Sequence, residues 1–286
     1  MFSNCAALTT TPDLPAKTIA SYCYAGMFEN CLSLIKVPSK LPALVLASNC
    51  YANMFSGCTS LSVAPKLLGA TLAESCYSSM FSGCTSLTTA PALNASPLAT
   101  TCYTGMFSNC TSLSAAPVLP ATILASYCYS NMFENCNALS VAPALPATIL
   151  ANNCYNSMFL GCTSLTTAPA LPAPVLSTNC YNSMFHSCES LNKVTVGFSE
   201  WTSGATTNWL YNVSISGTFT CPEELSDVRG TSNIPVGWTK ADAGYVQNGL
   251  ICWYDGINNY GSNTHSYSTT TWKNLGSLGS TYDATR

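Results

Sequence analysis

The pair Met-Phe recurs at residues 1, 27, 54, 80, 106, 132, 158 and 184, stepping by 26 residues with one step of 27. Around each pair the same string returns, clearest over 80–98 as MFSGCTSLTTAPALNASPL. Eight copies in register leave little choice of architecture. A unit this short cannot bury its own apolar face, so neighbouring units must stack and share one continuous core.

Composition agrees. Only 7% of residues are charged, against about 25% in an ordinary globular domain, so Ser, Thr and Asn must keep the surface wet. A net charge of -3 points away from nucleic acid and from anionic membranes as partners. No run approaches the roughly 18 apolar residues of a membrane helix. Composition shifts near Lys193: all five Trp lie beyond it, and fifteen of the seventeen Cys lie before it. Three parts are expected: a solenoid over 1–193, a capping segment over 194–240, and a third piece over 241–286. Met1 is itself the Met of a unit, which predicts a numbering that opens in mid-repeat.

Each unit divides into two halves. Leu87 to Leu93, with small residues between apolar ends, suits a short extended strand. Pro91 removes a ladder donor, so that strand must be brief or lie beside a bulge. The other half spaces Leu98, Cys102 and Met106 at i, i+4, i+8, which predicts a helix of two or three turns. The expected fold class is therefore an α/β repeat solenoid with one short strand and one short helix per coil, then a β-rich cap and a truncated β segment.

The cysteines form two columns. Cys5, Cys31, Cys58, Cys84, Cys110, Cys136, Cys162 and Cys188 follow Met-Phe; Cys23, Cys50, Cys76, Cys102, Cys128, Cys154 and Cys180 precede Tyr. Zinc would want close C-x-x-C pairs, and none exists. Like residues in one column point the same way, a poor geometry for disulfides, and the total is odd. Isolated bridges between the columns compete with the favoured reading, buried free thiols whose S–H meets a backbone carbonyl between coils.

The unit C-x-x-L-x-x-x-P-x-L-P-A-x-x-L, with the aromatic-x-x-C element seen in Phe81-Ser-Gly-Cys84, resembles the BspA-like leucine-rich repeats of bacterial surface proteins, the Treponema pallidum-type class. The resemblance covers 1–193 and implies a leucine-rich-repeat superhelix, secreted or at the cell surface, that adheres to a host protein or glycan. The chain departs from that pattern at Pro91 and its equivalents and at one extra residue near Lys40. More weakly, 249–259, 269–275 and 282–284 resemble the opening strands of a laminin-G or concanavalin-like jelly roll. That implies a carbohydrate-binding module of which 241–286 is only a start.

Catalytic chemistry is nearly absent from the sequence. His186 and His265 are the only histidines. No G-x-S-x-G, H-E-x-x-H, G-x-G-x-x-G or P-loop occurs. The acids Asp13, Glu29, Glu74, Glu134 and Glu189 are scattered through different units, and Glu223-Glu224 read as a solvated turn or helix start. We therefore expect no enzyme, no cofactor and no metal. Binding is expected on the strand face, at exposed positions such as Thr88, Thr89, Ala92, Ser114, Ala115, Val118, Ser140, Val141 and Ala144. Lys36, Lys40 and Lys66 are the candidate ligand-binding residues, with solubilising lysines as the competing reading. The column Tyr24, Tyr51, Tyr77, Tyr103, Tyr129, Tyr155 and Tyr181 reads as a half-buried packing row, or else a sugar-binding one. The expected partner is an extracellular protein or glycan. The alternative role is a structural spacer in a surface or phage-tail assembly, exposed on the virion, that presents the C-terminal module.

Overall fold

The computed structural model describes residues 1–243 together with 271–272 and 284–285. The chain divides into two compact units, Met1–Asp242 and Ala243–Arg286. The first is a stack of coils joined by parallel pairing. We number coils 1 to 8 by their Met-Phe pairs.

The strand side is held by very short ladders. Strands β1 (Lys40–Leu41) and β2 (Lys66–Leu67) pair in parallel, and elsewhere single parallel bridges join successive coils, as at Thr10 with Lys36, Thr89 with Ala115, and Ile123 with Ile149. Proline explains the brevity. A proline lies within three residues of most of these bridges, after Thr10, Lys36, Thr89 and Ala115 (Pro12, Pro38, Pro91, Pro117) and before Ile123 and Ile149 (Pro120, Pro146), and its missing N–H keeps the ladder from lengthening on that side.

The expected helix is not there. Among the described residues no helix forms, and the second half of each coil is a ribbon of overlapping β-turns. In coils 4 and 5, the N–H groups of Cys102, Thr104, Met106, Ser108 and Cys110 each donate to the carbonyl three residues back, at 3.0–3.2 Å. The alternate N–H groups, of Thr101, Tyr103, Gly105, Phe107 and Asn109, donate instead to the next coil, at Ser126, Cys128, Ser130, Met132 and Glu134, over 2.7–3.1 Å. Half the donors therefore close the local turn and half tie coil to coil.

The ribbon repeats every four residues because every fourth residue is left-handed. Thr101, Gly105 and Asn109 have φ of 55°, 60° and 60°. Their counterparts are Asn49, Asn53 and Gly57, then Ser75, Ser79 and Gly83, then Asn153, Ser157 and Gly161. Each immediately precedes an inward Cys or Met. Gly and Asn are the residues that tolerate this region, and one such residue every turn would end an α-helix. Thickness also argues against a helix: at about 10–12 Å across it would splay the coils. Ribbon side chains stack far closer, with Phe centroids 5.6–5.8 Å apart from Phe2 through Phe185.

The core holds what the columns predicted. Phe81, Phe107, Phe133, Met106, Met132, Leu87, Leu113 and Leu139 are fully buried. All the described cysteines are free thiols. In the first column the S–H donates to the phenylalanine carbonyl of the preceding coil, Cys110 to Phe81 and Cys136 to Phe107 at 3.1 Å. Burial pushes the Cys58 and Cys110 thiols up to about 12, so they stay protonated and can donate.

Beyond Lys193 the ribbon continues with other side chains. Tyr181, Ser183, Phe185 and Ser187 donate to Ala205, Thr207, Trp209 and Tyr211, and Gly204, Asn208 and Asn212 keep the left-handed positions. A three-stranded parallel sheet, β3 (Lys193–Thr195), β4 (Thr218–Cys221) and β5 (Thr239–Asp242), runs alongside. Trp209 stacks on Tyr181 at 6.0 Å and ends the tyrosine column. Three indole N–H groups reach backbone carbonyls: Trp201 to Ser226, Trp209 to Asn233 and Trp238 to Ser214, at 2.7–3.0 Å. Side-chain donors thus take over where the next coil's backbone would have stood.

In the second unit, β6 (Thr271–Trp272) pairs antiparallel with β7 (Ala284–Thr285). The remainder of the jelly-roll resemblance, and His265, lie outside the described residues.

Candidate binding surface

The corner strands position the exposed face. Thr88, Thr89, Ala92, Ser114, Ala115, Val118, Ser140, Val141 and Ala144 are all exposed. Ala92, Val118 and Ala144 sit next to the buried Leu93, Leu119 and Leu145 as alternation on an extended chain requires, whereas Thr88-Thr89, Ser114-Ala115 and Ser140-Val141 turn two consecutive residues to solvent.

The three lysines are exposed but do not form one cluster. Lys40 and Lys66 stand side by side in register on β1 and β2. Lys36 pairs instead with Thr10 at the preceding corner. Among the described residues the one ion pair is Arg229 with Asp227 in the cap, so neither lysine of the register pair has a carboxylate against it. Lys40 also lines a shallow cleft of about 370 Å³, with Asp13, Lys17, Pro38, Ser39 and Pro42 around it. The 26-residue register sets Asp13 one coil from Ser39, next to Lys40.

The tyrosine column is not a sugar platform: Tyr24 is half-buried as expected, and the other six are buried outright. Tyr51 through Tyr181 are 1–2% exposed. Their rings stack with centroids 5.7–6.0 Å apart and planes within 11°. Cys and Tyr are neighbours on the ribbon, and both turn inward. Their burial drives every one of these phenols, from Tyr51 to Tyr181, above its ordinary range.

Nothing in the described residues assembles catalytic chemistry. His186 stacks on Tyr211 at 4.9 Å, and its Nδ1 lies 3.0 Å from the Ser187 hydroxyl. Glu134 accepts from Asn131 at 2.9 Å on the ribbon side. Glu223 and Glu224 are exposed in a turn. No three metal-ligating side chains converge among the described residues, and no helix there is long and apolar enough to cross a membrane.

No family model matches the chain, and no curated protein matches it. Among solved structures it is similar to a leucine-rich repeat protein from Bacteroides ovatus ATCC 8483, at 17% identity over 84% of this chain and 76% of that one, with a TM-score of 0.33.

Proposed function

We propose that this chain is a non-enzymatic binding protein of the cell surface or extracellular space, holding a protein or glycan on the strand face of its solenoid. The observation that carries the reading is the register pair Lys40–Lys66 beside the cleft at Asp13 and Lys17. The two exposed lysines stand in register on adjacent coils, and among the described residues neither forms an ion pair, so both ammonium groups can meet a ligand. An anionic or hydroxyl-rich ligand gains from both at once.

A second reading, a rigid spacer that presents the C-terminal module, draws on the sameness of the exposed face. The pairs Thr88-Thr89, Ser114-Ala115, Ser140-Val141 and Thr166-Thr167 differ little from coil to coil, whereas a binding face diversifies.

The test is a glycan and matrix-protein array probed with the 286-residue chain and with its Lys36→Ser, Lys40→Ser, Lys66→Ser triple variant. Binding by the parent that falls at least tenfold in the triple variant supports the strand-face site. Equal binding by both chains removes the lysines from the site, and no binding by either favours the spacer.

A further inference from the structure

The lysines of the solenoid are not spread along it. Lys17, Lys36, Lys40 and Lys66 all fall on the strand half of coils 1 to 3, and residues 80–192 contain no basic side chain. Large aliphatics depart from the repeat in the same place. At the position of Ile35 the other coils have Thr9, Ser62, Thr88, Ser114, Ser140 and Thr166, and at that of Leu44 they have Lys17, Ala70, Ser96, Thr122, Thr148 and Pro174. Ile35 and Leu44 are 61% and 57% exposed, and the exposed Lys36 and Lys40 lie between them on the same stretch of chain. Lysines that served solubility alone would extend over coils 4 to 7, where Val118, Val141 and Val175 are more exposed still.

We propose that this surface of coils 1 to 3 docks an extended segment of another protein that presents acidic and aliphatic side chains together. The inference rests on the strand-face site proposed above and names its ligand class. Three features favour such a segment over a polyanion or a neutral glycan. The first is charge. Residues 1–79 hold four lysines against three carboxylates, whereas residues 80–286 hold five basic side chains against nine, so the first coils are the part of the chain that draws in an anion. Lys40 and Lys66, in register at ~4.8 Å, can share one carboxylate. Lys36 stands four residues from Lys40, ~13 Å of extended chain, which is the separation of acidic side chains at i and i+4 in an extended partner. The second is apolar contact. Ile35, Leu44 and Leu68 are exposed beside the lysines, and the charged groups of an acidic polysaccharide gain nothing from them. The third is Asp13, which lines the cleft together with Lys17 and Lys40. It repels a uniform polyanion but accepts a hydrogen bond from a peptide N–H. No aromatic side chain lines that cleft, so a neutral sugar ring has no flat apolar face to rest on.

The test is the fluorescence anisotropy of a labelled peptide, three repeats of Asp-Asp-Val-Val, titrated with the full chain. In extended conformation each face of that peptide alternates Asp with Val. Saturable binding is expected, weakened at least tenfold by Lys40→Ser with Lys66→Ser, and at least tenfold by Ile35→Ser with Leu44→Ser. All four side chains are exposed, so both variants should melt with the parent by circular dichroism, which separates lost contact from lost folding. A peptide of three Asp-Asp-Ser-Ser repeats should bind at least tenfold more weakly than the valine peptide. No binding of the valine peptide, or equal binding of the serine peptide, overturns the proposal. Dextran sulfate or phosphatidylglycerol vesicles that displace the peptide, and that bind the Ile35→Ser, Leu44→Ser variant as tightly as the parent, overturn it in favour of a polysaccharide or a lipid surface. An array ligand lost by the triple lysine variant but kept by the Ile35→Ser, Leu44→Ser variant overturns this inference and leaves the strand-face reading standing.

Discussion

Replacing Gly83 by Ala separates the turn ribbon from the helix by sign, not only by size. In an exposed helix interior Ala is better than Gly by about 1 kcal/mol, so the exchange would stabilise. In the ribbon Gly83 has φ +72°, where an L side chain costs roughly 1–2 kcal/mol. Space does not complicate matters: an added Cβ would meet only the Gly57 backbone at 3.5–3.6 Å, an ordinary contact. The unfolded chain loses about 0.4–1 kcal/mol of freedom when Gly becomes Ala, which offsets part of the strain. The net expectation is a destabilisation of about 1 kcal/mol. For a folded unit of this size that lowers the melting temperature by about 2–4 °C, within reach of circular dichroism. Gly83→Asn is the control, because Asn already holds the equivalent left-handed position at Asn30, Asn109 and Asn135 and should cost far less. An alanine variant that melts higher than the parent, or an asparagine variant as damaged as the alanine one, would refute the left-handed ribbon.

Gly57→Ala should cost more than Gly83→Ala, because its Cβ would clash with Asn30 Oδ1; adding Asn30→Gly should bring the loss back to the Gly83→Ala value, read by the same melts. The buried thiols make the fold sensitive to alkali: burial raises Cys58, Cys76, Cys102, Cys110, Cys154 and Cys162 from 9.0 to about 12. The folded state then holds protons that the unfolded chain releases, so their stabilisation is whole below pH 9 and is lost as pH rises towards 12. The melting temperature should fall steeply above pH 9, and an equal value at pH 8 and pH 11 would contradict it. At neutral pH a thiol reagent should label the exposed Cys5 and Cys23 well before any buried cysteine.

The coil, its core columns and its exposed positions were legible because they depend only on which residues recur. The thiol contacts were legible for the same reason: a column of small, weakly polar side chains in a dry stack has nearby only the backbone of the adjacent coil. The ribbon was misread because Leu98, Cys102 and Met106 fit two periods. At 3.6 residues per turn, positions i+4 and i+8 drift only about 40° and 80° around a helix, so ten residues do not distinguish that period from one of four. A separate column does distinguish them. Before the inward Cys and Met stand Tyr22, Ser75, Thr101 and Tyr127 in places, but more often Asn or Gly, as at Asn49, Asn53, Gly57, Gly83, Asn131 and Asn135. Such residues are poor in helices and good in left-handed turns. The burial of Tyr51 through Tyr181 follows from that ribbon, since a four-residue period turns two consecutive side chains inward where a helix would turn one. The same column continues where the core pattern stops. At 204, 208 and 212 the chain still has Gly, Asn and Asn, although Ala205, Trp209 and Val213 have replaced Cys, Met and Cys. Core side chains can be exchanged as long as volume is filled, and the left-handed positions, which favour Asn and Gly but also hold Ser, Thr and Tyr, keep their backbone conformation throughout. In a solenoid of this kind the left-handed column therefore marks the extent of the ribbon better than the hydrophobic one does.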